Sequence, residues 1–183
     1  MNTLQVRQHT LPLPAFLPDA TFGYVRSLTS TDLSAAGVQA VMMNAFHLMQ
    51  KPGSSVIQAM GGLHCFSGWD GLIMTDSGGF QAYSLIRQNP KFGSLNENGI
   101  IFRPEGSNRK LILTPEKSIQ LQLSFNADVL FCLDDCTHVD APFEEQQLSV
   151  QRTIAWAKRC KDRFEKQLTA RQISPEDRPL LFA

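Results

Sequence analysis

Three short apolar runs, each closing on a polar residue, constrain this chain more than any other feature. Residues 38–43 lead into Asn44, residues 72–75 into Asp76, and residues 129–133 into Asp134 and Asp135. Helix signals separate them. Thr29 and Ser30 open a short helical stretch that Gly37 is placed to cap. A second helix is expected over residues 54–60, stopped by Gly61 and Gly62. Thr114 and Pro115 read as an N-cap followed by proline at the first helical position, where a missing N–H is harmless. Apolar strands alternating with helices predict an α/β fold with a parallel sheet covered on both faces. In such folds ligands bind at the carboxyl ends of the strands. Asn44, Asp76 and Asp134 are therefore expected on one face. A single polar residue there would be read as a helix cap, whereas three in succession favour a site.

Away from those strands, residues 100–102 and 111–113 read as a hairpin with its turn over 105–108. Asp140, Ala141 and Pro142 open a long helix with Val150, Ile154, Ala157, Phe164 and Leu168 at helical spacing on its apolar face. Lys158, Arg159, Lys161, Arg163 and Lys166 crowd its second half, as a solvated face that suits the negative end of the helix dipole. Residues 180–183 carry a buried-strand pattern after a turn over 174–179. A core strand in that position leads to the expectation that the fold continues in sequence outside this chain.

Composition narrows the class. Of 183 residues, 43% are hydrophobic and 19% charged, which is globular rather than disordered. Lys plus Arg number 17 and Asp plus Glu 17, so no global basic excess announces a nucleic-acid partner, although a local patch can bind phosphates without changing the total. Cys65, Cys132, Cys136 and Cys160 show no two-residue spacing of a zinc knuckle or redox motif. Residues 1–14 lack the order of a signal peptide, and no apolar run approaches the ~20 residues of a membrane span. A cytoplasmic protein with unpaired thiols and no membrane partner is expected.

The stretch Asp76-Ser77-Gly78-Gly79-Phe80-Gln81 is the densest in chemistry. The two glycines let a backbone approach a ligand and expose its N–H donors. Phe80 offers a face for stacking, Gln81 donates and accepts, and Asp76 can take a proton as general base. An acidic residue opening this turn disfavours a bare phosphate and favours a flat, neutral, hydrogen-bonding heterocycle. Asp134 and its neighbours Asp135, Cys136, Thr137 and His138 supply a second acidic cluster. A carboxylate suits the ring N–H and exocyclic amine of a guanine-type edge. A metal held by Asp134, Asp135, Cys136 and His138 ranks lower, because alternate residues of one segment rarely all face one ion. His47 is read as a hydrogen-bonded structural residue, His64 and Cys65 as part of a turn, and Trp69 as core or turn anchor.

The run Gly68-Trp69-Asp70 followed by Thr75-Asp76-Ser77-Gly78-Gly79-Phe80-Gln81 resembles the signature of the tRNA-guanine transglycosylase (queuine tRNA-ribosyltransferase) family. The resemblance continues, in order, through Pro14-Ala15-Phe16-Leu17-Pro18 as an opening strand, Asn44-Ala45-Phe46-His47-Leu48, Pro52-Gly53, Gly61-Gly62-Leu63-His64, Leu113-Thr114-Pro115-Glu116 and Asp134-Asp135-Cys136-Thr137. It departs at Ala45-Phe46, at Asp19-Ala20-Thr21 and over residues 103–107. The resemblance implies a TIM (β/α)8 barrel of which residues 1–183 are the N-terminal part. It implies an enzyme of tRNA modification and queuosine biosynthesis that exchanges guanine in a tRNA anticodon for a 7-deazaguanine through a covalent ribosyl-aspartate. Asp76 would accept the proton, and Ser77, Gly78, Gly79 and Phe80 would line the pocket. Asp134 would read the base, with Gln81 and Cys136 nearby. The family's nucleophilic aspartate and its cysteine/histidine zinc site fall beyond residue 183, so no cofactor is assigned to this chain and zinc is expected in the remainder. By the same resemblance the complete protein would pair as a homodimer, and the isolated chain would not catalyse exchange. A non-catalytic partner subunit of such an enzyme is the alternative.

Overall fold

The computed structural model describes residues 2–89, 91, 93–103 and 110–183. A hairpin of β1 (Asn2–Val6) and β2 (His9–Leu13) precedes α1 (Ser30–Ala35) and β3 (Ala40–Asn44). Three short helices follow, α2 (Ala45–Leu48), α3 (Ser54–Ala59) and α4 (Leu63–Ser67), then β4 (Leu72–Asp76) and α5 (Gly79–Gln88). Next come β5 (Gly93–Asn96), β6 (Gly99–Phe102), β7 (Leu111–Leu113), α6 (Pro115–Ser124) and β8 (Val129–Phe131). The long α7 (Phe143–Ala170) and β9 (Leu180–Phe182) complete the order.

The expected parallel sheet is present, in the order β3-β4-β8-β9. Its register pairs Asn44 with Asp76, Thr75 with Leu130 and Phe131 with Phe182. The sheet is open, and no closed barrel forms among the described residues. Strands β5, β6 and β7 make a separate antiparallel sheet. Its β6–β7 pair is the expected hairpin, with the expected turn over 105–108 outside the described residues. Strand β5 has Leu95 alone as a large apolar residue, which leaves no alternation to read in the sequence.

Local chemistry explains the helix ends. Thr29 accepts from the Asp32 N–H at 3.1 Å, and the Asp32 carboxylate accepts from the Thr29 N–H at 2.8 Å, a capping box for α1. Gly37, at φ +76°, follows the cap in the left-handed region. Thr114 accepts from the Lys117 N–H at 3.2 Å and starts α6 ahead of Pro115.

Three readings of the sequence change. The expected opening strand does not form over 14–18, where Pro14 and Pro18 lack N–H donors; a single bridge, Asp19 to Met42, follows, and Pro18 accepts from the Met42 N–H at 3.0 Å. His64 and Cys65 lie in helix α4, not in a turn. On α7, Val150 and Ile154 are 58% and 54% exposed, and the inward face is Ser149, Trp156, Cys160, Phe164 and Leu168. Two apolar stripes run side by side on this helix. The one carrying the large Trp156 faces α6, burying its ring and sending its Nε1–H to the Glu97 carbonyl at 2.9 Å. Among the described residues no helix is long and apolar enough to cross a membrane.

Candidate functional site

Asp76 closes β4, and its neighbours hold the carboxylate through neutral donors. Oδ2 accepts from Asn44 Nδ2 at 2.6 Å, and Oδ1 accepts from the Ala45 and Gly78 N–H groups, both at 3.1 Å. Asn44 cannot turn its amide around without loss, because its Oδ1 accepts from the His47 N–H at 3.0 Å and so caps α2. Burial pushes the Asp76 carboxyl up to about 6; the Ala45 and Gly78 N–H groups pull the other way, and the Asp134 and Asp19 carboxylates add to the rise. The backbone then turns at Gly78, φ +78°, where an added Cβ would fall 2.7 Å from Phe46 Cβ.

The second carboxylate meets the first turn directly. Ser77 Oγ donates to Asp134 Oδ1 at 3.0 Å and accepts from the Gly79 N–H at 3.1 Å. A Cβ at Gly79 would sit 2.8 Å from the Asp134 carbonyl oxygen, so only glycine permits this approach. The Cys136 thiol donates to Asp134 Oδ2 at 3.0 Å, and burial followed by that bond pushes the thiol up to about 12, keeping it protonated. Phe80, at 59% exposed, presents its ring to solvent from the first turn of α5, where Gln81 is half-buried. Asp135 points away, to Arg152 of α7, which also binds Glu97 at 2.9 Å. A cleft of about 670 Å³ opens beside Cys136, bounded by Tyr83, Arg87, His138 and Arg152.

The residues expected to form the site therefore lie at the carboxyl end of β4, in the turn into α5 and its first turn, and in the segment that follows β8. The lower-ranked metal reading is not supported by this arrangement, since Asp135 is turned to Arg152 and His138 pairs with the exposed Asp140 at 3.2 Å. The His47 ring packs on Phe22 and Phe46 at 5.3 and 5.7 Å, and the hydrogen bond of this residue is made by its backbone N–H, to Asn44 Oδ1, rather than by the imidazole. Trp69 is buried, with Nε1–H donating to the Leu72 carbonyl at 3.3 Å. The four cysteines are free thiols.

One further polar cluster lies at the opposite end of the sheet. Asp128 accepts from the Ile73 N–H at 2.8 Å and from Arg7 Nη1 at 2.9 Å, with His64 Nε2 at 3.1 Å and His9 at 3.9 Å. His64 Nδ1 lies 2.9 Å from the Trp69 carbonyl. Both His64 nitrogens thus face acceptors, which the imidazolium satisfies, and Asp128 raises its pKa. Arg7, Ile73 and His64 occupy the Asp128 oxygens, so this cluster is a structural tie between the N-terminal hairpin, α4 and the sheet.

Sequence comparison decides the family. The model of the family described as queuine tRNA-ribosyltransferase matches residues 1–182. The chain belongs to the queuine tRNA-ribosyltransferase family. Relatives named queuine tRNA-ribosyltransferase include that of Actinobacillus pleuropneumoniae serotype 5b, 38% identical over 86% of this chain and 40% of the relative. That of Psychrobacter sp. is 37% identical over 90% of this chain and 42% of the relative, and that of Francisella tularensis subsp. novicida 41% identical over 81% and 40%. The chain thus spans about 40% of the length of the curated queuine tRNA-ribosyltransferases it matches.

The sequence reading missed the support beneath this site. The sequence places Asn44 on the right face but does not announce its bond to Asp76, and Ser118 and Gln122 of α6 read only as helix. Their signal is a polar residue on the buried face of an amphipathic helix, at positions 118 and 122, four apart.

Proposed function

We propose that this chain carries the base-recognition part of a tRNA-guanine transglycosylase, an enzyme that replaces guanine in a tRNA anticodon with a 7-deazaguanine. The observation that carries the reading is the Ser77–Asp134 bond of 3.0 Å, which joins two carboxylate-bearing loops across a glycine turn next to an open Phe80 ring. Asp134 reads the guanine-type edge. Its carboxylate accepts from a ring N–H and an exocyclic amine together. Phe80 stacks on the heterocycle, and the Ser77, Gly78 and Gly79 backbone bounds it, with Gln81 and Cys136 at its margin. Asp76 takes the proton of the incoming base. A carboxyl held at about 6 is a stronger base than an ordinary aspartate and is still ionised at neutral pH.

The parallel order β3-β4-β8-β9 supports the first part of a (β/α)8 barrel, with residues 1–183 forming one partial domain. In the complete cytoplasmic protein the nucleophilic aspartate and a zinc-binding cysteine/histidine set come from sequence outside these residues. A homodimer of the complete protein is carried by the family resemblance alone.

Calorimetric titration of the chain with guanine, hypoxanthine and adenine tests the reading. Guanine binds, hypoxanthine binds more weakly for lack of the amine, and adenine does not bind. Equal affinity for guanine and adenine overturns it.

A further inference from the structure

The ladder between β4 and β8 stops short of the site. It pairs Met74 with Val129 and Thr75 with Leu130. Asp76 and Asp134 lie beyond it, where the Ser77–Asp134 bond joins the two segments at the pocket and a second link holds them from beneath. The fully buried side chain of Gln122, on α6, spans the gap. Its Oε1 accepts from Thr75 Oγ1 at 3.0 Å and from the Phe131 N–H at 3.0 Å. Its Nε2 donates to the Phe131 carbonyl at 2.9 Å and to Ser118 Oγ at 3.0 Å. An amide offers two N–H donors and two acceptor lone pairs, and here all are taken. Ser118, fully buried one helical turn earlier, passes the contact on by donating to the Ser77 carbonyl at 3.1 Å.

Packing alone does not call for this arrangement. Buried polar groups are unfavourable unless bonded, and leucine with alanine at these positions would fill the α6 face as a plain amphipathic helix. What the polar pair adds is geometry. It binds the backbone that leads to Asp134, the last paired residue before Asp76, and the Ser77 carbonyl, all at once.

We infer that Gln122 is a positioning residue that, with Ser118, sets the separation of the Asp76 and Asp134 loops and hence the width of the base pocket. The inference rests on the base-pocket reading, yet its geometric part stands apart from it. Gln122 reaches Thr75, Phe131 and Ser118 and leaves base contact to the loops above. Isosteric glutamate would present oxygens to the Phe131 carbonyl and methionine would present nothing, so neither can replace it.

The test uses the full 183-residue chain carrying Thr75→Val or Ser118→Ala, each of which removes one bond to or from the network and keeps the volume nearly constant. Gln122→Met is a third variant. Three quantities are followed: guanine affinity, the amide resonances of Gly78 and Gly79, and the carboxyl-carbon titration of Asp76. The two mild variants are expected to unfold cooperatively near the temperature of the parent while binding guanine roughly three- to tenfold more weakly. Their Gly78 and Gly79 resonances move. The Asp76 midpoint rises, because the Gly78 N–H that stabilises the carboxylate is loosened. Unchanged resonances, midpoint and affinity in both mild variants overturn the inference and make Gln122 a packing residue. Absence of guanine binding by the parent chain overturns the base-pocket reading, while the resonances and the midpoint still decide whether Gln122 positions the loops.

Discussion

Asp76 and Asp128 sit at opposite ends of adjacent parallel strands, and burial pushes both carboxyls up. They end in opposite states. At Asp128 the His64 and Ile73 bonds and the Arg7 charge outweigh burial, and the pKa falls below its ordinary value. At Asp76 the donors are neutral, from Asn44, Ala45 and Gly78, while Asp134 and Asp19 add like charge, and the pKa stays at about 6. Burial is common to the two. The charge of the partner decides whether a buried carboxylate becomes a tie or a base.

The largest expected effect is at the tie. Asp128→Ala leaves Arg7 and the His64 imidazolium without their carboxylate and should cost about 3–5 kcal/mol of stability in urea unfolding. Asp76→Ala should cost clearly less, since it removes a charge that its surroundings disfavour. Equal losses at the two positions would break the comparison.

The pH dependence comes next, with opposite signs for the two aspartates. Asp76 binds its proton more tightly folded than unfolded, so its contribution to stability falls as pH rises from 3.8 to about 6, by roughly 3 kcal/mol at most. Asp128, with a lowered pKa, contributes stability above 3.8 that is lost as pH falls through its folded value. His64, with a raised pKa, contributes stability below 6.5 that is lost as pH climbs through its folded value. In unfolding measured across pH, Asp76→Asn should remove the decline on the acidic side and His64→Gln the one on the basic side. Base exchange by the complete protein should fall as pH drops through about 6, as Asp76 takes up its proton.

The two carboxylates of the site itself should then separate. In the complete protein Asp76→Asn is expected to remove turnover, because an amide cannot take the proton of the base. Asp134→Asn should weaken guanine binding by about 1–3 kcal/mol, because an amide turns a donor toward one of the two donors it must accept. If both aspartates merely capped helices, asparagine would serve and kinetics across guanine concentrations would barely change. The smallest effect is expected from Asp19→Asn. It removes a minor source of like charge, so the Asp76 carboxyl-carbon titration should move slightly downward with no loss of stability.

The sequence by itself determined where β3 and β4 end, how α1 and α6 begin and which face collects Asn44, Asp76 and Asp134. Those signals are local: an apolar run closing on a polar residue, Thr29 with Asp32, Thr114 with Pro115, and glycines where the backbone turns left-handed. Tertiary structure alone decided which aspartate is a base and which is a tie. Asp128 finds its cations 64 and 121 positions away in the chain, at His64 and Arg7, and no local pattern announces either. It also decided which of two adjacent stripes on α7 faces inward, and that Gln122 spans from Thr75, 47 positions away, to Phe131, nine positions on. Periodicity within a segment reports its own hydrogen bonds and its apolar face. The charge and the donors that reach a buried carboxylate belong to whichever segments fold against it.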